Sequence, residues 1–520
     1  MEDTGKMGKR IGLLPVASLA IALSFPGCGG GDKTGLFSDP PPTTTTPPIA
    51  QIFFTDNAAG AARGTLYAVD TSNPTQPAIY TDNVNRPSMR LAYSGNFDAA
   101  GQTVSGVAPY ALVYEQAGSL YRVDGNLSRR RISQGGIADN LFELSLLQDT
   151  ADPEKSWIVF RNGVERKAVR LGTADTAPPI SVPGTGLWDI RSAAGSVSGW
   201  LIADGGALRH RNLDFSDLRF VMNVTTSAHL LGRFPSGDLL LRVDGRVFIY
   251  YPEPRALSGL LYTFNNPDII PWTSTESGSS IWFSDGANIL KVENSGYGTI
   301  PISTSVVDDA TADVRVSSIM PTDGANVVYL RRSTISNAAT ISSVPASGGS
   351  GTVIEVADGV SSSIGNVNVA GNRVYYSLSD ASGARSAINV LSDNSSRVSI
   401  GDSYWSGATA PDTFPASGHL PIDRIFLVRM DPTVGLDNAT VISYAASTFA
   451  DPLTLGALTP DPGESIADFS IGWNIGPRLL GTAIVGSQSD VYYLDAVTPG
   501  SLKRVLKTPN LSETPIDPID

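Results

Sequence analysis

The 520-residue chain holds one cysteine, Cys28, and three histidines, His210, His229 and His419. A single thiol excludes any disulfide within the chain. Without a cysteine pair or an HExxH helix, the sequence also offers no zinc ligand set. Charge is scarce: Asp, Glu, Lys and Arg make up 17% of the residues, below the usual quarter. Basic residues are the scarcer kind, 37 against 50 acidic ones, and removal of residues 1–27 would leave a net charge of −14. Nucleic acid and anionic headgroups both require a basic surface, so neither is expected as a partner. The one basic run, "SRRRIS" with Arg129 to Arg131, reads as an exposed strand. Past residue 50 no segment sustains a 3.6-residue apolar period, which removes amphipathic helices from the expected fold. No G-x-S-x-G elbow occurs, and "PASGGSGTV" at 345–353 lacks the lysine of a phosphate loop.

What is present begins at the N-terminus. Lys6, Lys9 and Arg10 precede "IGLLPVASLAIALSF", fifteen uncharged residues from Ile11 to Phe25. A basic start, a short apolar stretch and small residues make an export signal, and the stretch is too short to span a bilayer comfortably. "GGGDKTGLFSDPPPTTTTPPIA" follows Cys28, a glycine, proline and threonine tract that reads as a flexible to rod-like tether.

The stretch "ALSFPGC" resembles the lipobox of bacterial lipoproteins. By that resemblance Gly27 is the residue before signal cleavage, and Cys28 is the lipidated new N-terminus. Phe25 and Pro26 depart from the leucine and small residue usual at those two positions. Gly29 and Gly30 replace the aspartate that retains such proteins at the inner membrane. The resemblance therefore implies a cell-envelope protein anchored to the outer membrane through lipid on Cys28. One acyl chain anchors only marginally and several anchor stably, at about 0.8 kcal/mol per buried methylene.

Residues 51–507 repeat a motif of short apolar strand, polar turn and second strand. The leading strands include "LVY" 112–114, "LLL" 239–241, "IWF" 281–283, "VVY" 327–329, "VYY" 374–376 and "IFL" 425–427. Their partners include "LYRV" 120–123, "VFIY" 247–250 and "VYYL" 491–494. Ten such pairs start about 40 to 60 residues apart, the period of a four-stranded propeller blade. Asp-Gly at 124–125, 244–245 and 285–286 suits hairpin turns of positive φ. The chain is thus expected to be all-β: a β-propeller of four-stranded antiparallel blades in about 8–10 units. The expected divisions are a signal peptide at 1–27, a tether at 28–50, the propeller at 51–507 and a tail at 508–520. Segment 502–506, "LKRVL", is expected to pair with the first unit and latch the ring.

These segments resemble the blades of exported TolB-like, WD40-like propellers. That resemblance covers a blade pattern and brings no catalytic residues with it. No catalytic and no metal site is assigned and no cofactor is expected. Structural calcium is the one exception considered, through Asp431, Asp437, Asp461 or Glu464, whose spacing is not that of an EF-hand. His210 is expected on a solvated strand face, His229 half-buried and His419 in a turn. A lipid-anchored scaffold binding an envelope protein or glycan is the leading functional expectation. The alternatives are an envelope enzyme, a sugar or lactone hydrolase or lyase with carboxylates in the funnel, and a structural envelope component.

Overall fold

The computed structural model describes most of residues 51–508, the larger interruptions being 94–109, 134–140, 148–154, 173–178, 265–273, 308–313 and 410–422. Cys28, Gly27, the tether and His419 lie outside the described residues. Among the described residues there is no α-helix. The described strands form nine antiparallel sheets in chain order, spanning residues 51–131, 141–181, 186–223, 228–263, 274–307, 314–357, 362–401, 403–457 and 466–508. Sheets two to nine are four-stranded meanders, with one extra short strand, Tyr262–Thr263, in sheet four. The ten sequence units become nine sheets because the first two share one. The long strand Ala78–Tyr93 pairs with Arg63–Asp70 through its first half and with Tyr110–Gln116 through its second, giving six strands.

In sheets two to nine the apolar triads of the sequence are the second strands, while "LVY" 112–114 lies in the fourth strand of sheet one. Leu239–Val243 is buried at every position, because a strand inside a blade is covered on both faces and therefore reads as a continuous apolar run. Leu240 packs toward sheet five with Phe283 and Val292, while Leu239 and Leu241 pack toward sheet three with Ile190 and Leu208. The same division recurs at every seam from sheet one to sheet nine. Aromatic side chains plug several of these seams. Trp200 and Phe215 stack at 5.2 Å, with Trp157 of sheet two edge-on to Trp200 at 5.5 Å.

The stack also closes. On the face of sheet nine turned away from sheet eight, Leu480, Val491 and Tyr493 are buried. Burial raises the Tyr493 phenol to about 12, and the carboxylate of Asp70 in sheet one adds to that rise. Sheet one brings buried Leu66, Ala68 and Val69 to the same region of the chain as Asp70. Face-packed sheets whose last member meets the first make a β-propeller.

Closure is not by an exchanged strand. Lys503–Thr508, which contains most of the expected latch, pairs with Gln488–Asp495 of its own sheet. Its apolar residues are consumed there, Leu502 packing on the sheet eight side of sheet nine.

From sheet three to sheet nine the first strand of each sheet runs beside the first strand of the next, so these strands lie innermost. In seven sheets the first strand slips register against the second, for instance between Ile190 and Arg191, Leu230 and Gly232, and Trp405 and Ala408. A bulge adds twist and re-aims side chains. The residues beside these bulges bridge to neighbouring inner strands: Asn366 donates to the Trp405 carbonyl, and Ser406 donates to the Phe469 carbonyl at 3.2 Å.

Turns agree with the sequence at one of the two Asp-Gly pairs the structure describes. Asp244 and Gly245 both have positive φ, 51° and 74°, as a two-residue hairpin loop requires. At 285–286 only Gly286 is positive. There Asp285 accepts from the Asn288 amide at 2.8 Å, so the loop is longer than two residues.

Candidate functional site

On a rigid scaffold recognition is carried by the loops, here the turns at the blade ends together with the inner strands. The turns are stiff. Asp244, in the hairpin of sheet four, accepts from the amides of Thr225, Thr226 and Ser227, at 2.9, 2.8 and 3.2 Å, and so fixes the connection entering that sheet. Burial alone would raise this carboxyl, but those amides hold it at about 2. Asp358 does the same for Val360, Ser361 and Ser362 at the entry to sheet seven. A carboxylate that caps successive amides leaves the loop few alternative conformations.

On the inner strands, Asp189 of sheet three lies between two guanidinium groups. Arg191 pairs with it on the same strand, and Arg233 of sheet four reaches it at 3.0 Å. Arg233 also donates to the Asp189 carbonyl at 2.8 Å. Burial works to raise the Asp189 carboxyl, yet Arg233 and Arg191 outweigh it and hold the group below the usual carboxylate range. Neither arginine stands out in the sequence, because the pairing depends on bulges that bring two inner strands together.

His210 corrects an expectation. It is buried at the seam between sheets three and four, not on a solvated face, because the register that leaves Arg209 and Arg211 half-buried turns the imidazole toward Tyr250. Its Nδ1 lies 2.5 Å from the Tyr250 hydroxyl. Gly199 makes room for the ring: a Cβ there would sit 3.2 Å from Nε2 and 2.7 Å from the Arg211 carbonyl. Burial, with Arg255 adding to it, lowers the His210 pKa to about 4.

That shift has a pH consequence. The folded state holds His210 neutral while the unfolded chain protonates it near 6.5, so its contribution to stability is present above pH 6.5 and is lost as pH falls toward 4. A gap of this size corresponds to roughly 3 kcal/mol. Acid titration followed by circular dichroism is expected to show His210→Gln losing less stability than the parent between pH 7 and 4. Equal losses would remove His210 from the acid response.

His229 is half-buried on the inner strand of sheet four, as expected. Arg129 and Arg130 lie exposed on the edge strand of sheet one, also as expected, with Arg129 stacked 3.8 Å over the Tyr121 ring. The four calcium candidates are spread among protein donors. Asp431 caps Thr433, and Asp437 accepts from the Ile466 amide at 2.7 Å. Asp461 pairs with Arg504 and Lys507, and Lys507 also reaches Glu464. Among the described residues no group of three or more His, Cys, Asp or Glu is placed to hold a metal.

A further polar group lies at the seam between sheets four and five. Asp238, 6% exposed, accepts at Oδ2 from Ser236 and Asn294, and beside it Tyr297 stands 61% exposed, edge-on to buried Tyr251. No sequence signal points to this group, since Asp238 and Asn294 are 56 residues apart and belong to different blades.

No protein-family model matches the chain, and no curated protein matches it. Solved structures resemble it at low identity and low TM-score. A puromycin-hydrolyzing peptidase of Mycobacterium tuberculosis is 12% identical over 83% of this chain, with a TM-score of 0.32, and the chain spans 55% of that peptidase's length. PorZ, a surface component of the type-IX secretion system of Porphyromonas gingivalis, is 13% identical over 88% of this chain and 57% of its own, with a TM-score of 0.25. An oligogalacturonate lyase in complex with manganese is 11% identical over 63% of this chain and 85% of its own, with a TM-score of 0.31. These likenesses carry no residue and no activity across, and the assignment as a β-propeller rests on this chain's own sheet order and seams.

Proposed function

We propose that the chain is a lipid-anchored propeller of the bacterial cell envelope that binds an envelope protein or glycan on its blade-end turns. The observation that carries the reading is the locking of those turns by their own side chains, Asp244 and Asp358 above all. Rigid turns on a closed scaffold bind without an ordering cost. A catalytic reading needs a carboxylate free to exchange protons. Asp189, the carboxylate buried on the inner strands, is committed instead to two guanidinium groups, which disfavours acid-base chemistry at that residue.

The anchoring half rests on Cys28 and the residues before it. Expressed with its own signal in a bacterium fed a labelled fatty acid, the parent chain is expected to carry label and float with outer membranes. Cys28→Ala is expected to lose both. Unlabelled parent chain found in the soluble periplasm would end the anchoring proposal. For the binding half, residues 29–520 serve as bait for solubilised envelope proteins and an envelope glycan panel, with bound species identified by mass spectrometry. Failure to retain any saturable species would end the scaffold proposal.

A further inference from the structure

The seam between sheets four and five carries a feature that blade packing leaves unexplained. Tyr297 is one of the most exposed large side chains of the described residues, yet it is not loose. Its ring lies 5.3 Å from Tyr251, at 72°, and Tyr251 is almost wholly buried. An edge-on aromatic contact fixes a ring while leaving a face free. That face is held toward water on a turn, following the strand Ile289–Glu293, where Asn294 Oδ1 accepts from the Gly296 amide at 3.2 Å.

Beside the ring sits a carboxylate with unused capacity. Asp238 lies in the turn between Ala228–Arg233 and Leu239–Val243. Ser236 donates to its Oδ2 at 2.6 Å and Asn294 Nδ2 at 2.8 Å, so one oxygen takes donors from both blades. Its Oδ1 takes no donor among the described residues, and that oxygen is not sealed from solvent. Asp238 is tied to the turn that carries Tyr297, since Asn294, which donates to Asp238, opens that turn and accepts from the Gly296 amide. A buried carboxylate accepts up to about four hydrogen bonds, and one left short of donors is costly, so the site gains from a ligand that donates.

We infer that this seam is a subsite for a neutral glycan, one sugar ring lying on the Tyr297 face and its hydroxyls donating to Asp238 Oδ1. This inference rests on the binding reading above and narrows its ligand. A pyranose has an apolar C–H face bordered by hydroxyl donors, which matches a flat ring beside an acceptor. An acidic sugar is disfavoured by Asp238 itself and by the chain's net charge of −13. An ammonium group fits less well, because neutral hydroxyls reach a buried acceptor at lower desolvation cost. Blade packing has built the acceptor in advance: Ser236 and Asn294 hold Oδ2 and leave Oδ1 without a protein donor among the described residues.

The test uses residues 29–520, which retain every described residue, titrated with maltohexaose, cellohexaose, mannohexaose and the N-acetylglucosamine tetramer by calorimetry and saturation-transfer NMR. At least one is expected to bind saturably. Tyr297→Ala is expected to weaken that sugar by roughly tenfold or more, and Tyr297→Phe to retain it, since both keep the fold of a surface turn. Asp238→Asn, which keeps shape but weakens the acceptor, is expected to weaken it as well. No saturable binding to any of the four, or binding indifferent to Tyr297→Ala, overturns the inference. Saturable binding of a lysine-rich peptide that Tyr297→Ala abolishes, with no sugar bound, also overturns it and assigns the seam to cations. A protein captured from the envelope while all four sugars fail would sink this subsite and leave the scaffold reading intact.

Discussion

Trp405→Ala is expected to cost about 3–5 kcal/mol of unfolding free energy, the range for emptying a buried aromatic site. The indole is fully buried at the seam between sheets seven and eight. It lies edge-on to Tyr375 at 5.0 Å and to Phe449 at 5.9 Å. Its Nε1 donates to the Ile388 carbonyl at 3.0 Å, so the same side chain joins the two blades by a hydrogen bond as well. Alanine would open a cavity and remove that bond together. Phenylalanine would keep most of the packing and lose the bond, at about 1–2 kcal/mol plus the smaller volume change. Urea denaturation followed by tryptophan fluorescence and circular dichroism checks both. An unchanged midpoint for Trp405→Ala would mean that this seam does not contribute to the cooperative unit.

Asp189→Ala is expected to cost about 3 kcal/mol, near the lower end of the range for removing one partner of a buried ion pair. Two guanidinium groups would be left facing each other, Arg191 and Arg233, with side chains 23% and 18% exposed. Partial hydration of both softens the cost, which is why the upper end of the range does not apply. A second substitution, Arg233→Met in the Asp189→Ala background, is expected to recover part of the loss. It removes one of two like charges from the junction of sheets three and four. Denaturation of the four proteins of this cycle gives the coupling directly. A cycle that sums to zero would show that the inner-strand ion pair is idle.

The seams also explain which parts of the fold were legible in the sequence. Second strands such as Leu239–Val243 and Ser280–Ser284 are buried at every position, so their composition announces them. Third strands such as Arg246–Tyr251 alternate part of the way and were legible as partners. First strands were not. Ser362–Ala370, "SSIGNVNVA", carries a bulge between Gly365 and Asn368 and mixes exposed with buried positions, so no period survives in it. Sheet one misled the count because a single strand, Ala78–Tyr93, serves two sequence units.

The candidate site was hidden for a related reason. His210 was expected in solvent because strand alternation set it against two arginines. Alternation decides only which face a residue takes, and in a propeller both faces are covered. Tyr250, 40 residues away, settled its environment. Asp238, Asn294 and Tyr297 meet across a seam between blades, and no local pattern records a contact between residues of different blades.

The amino-acid sequence by itself determined the repeat, the strand chemistry and the acidic surface. Each follows from residues close together in the chain: apolar runs that need two covered faces, the Asp244-Gly245 pair that takes positive φ, and an excess of carboxylates. The tertiary structure alone decided the number of sheets, the closure of sheet nine on sheet one without an exchanged strand, and the pairing of Asp189 with Arg233. It also decided the unfilled acceptor of Asp238 beside Tyr297. All four depend on which face of one blade meets which face of the next, and that choice is made by the summed packing of whole sheets, not by any short segment.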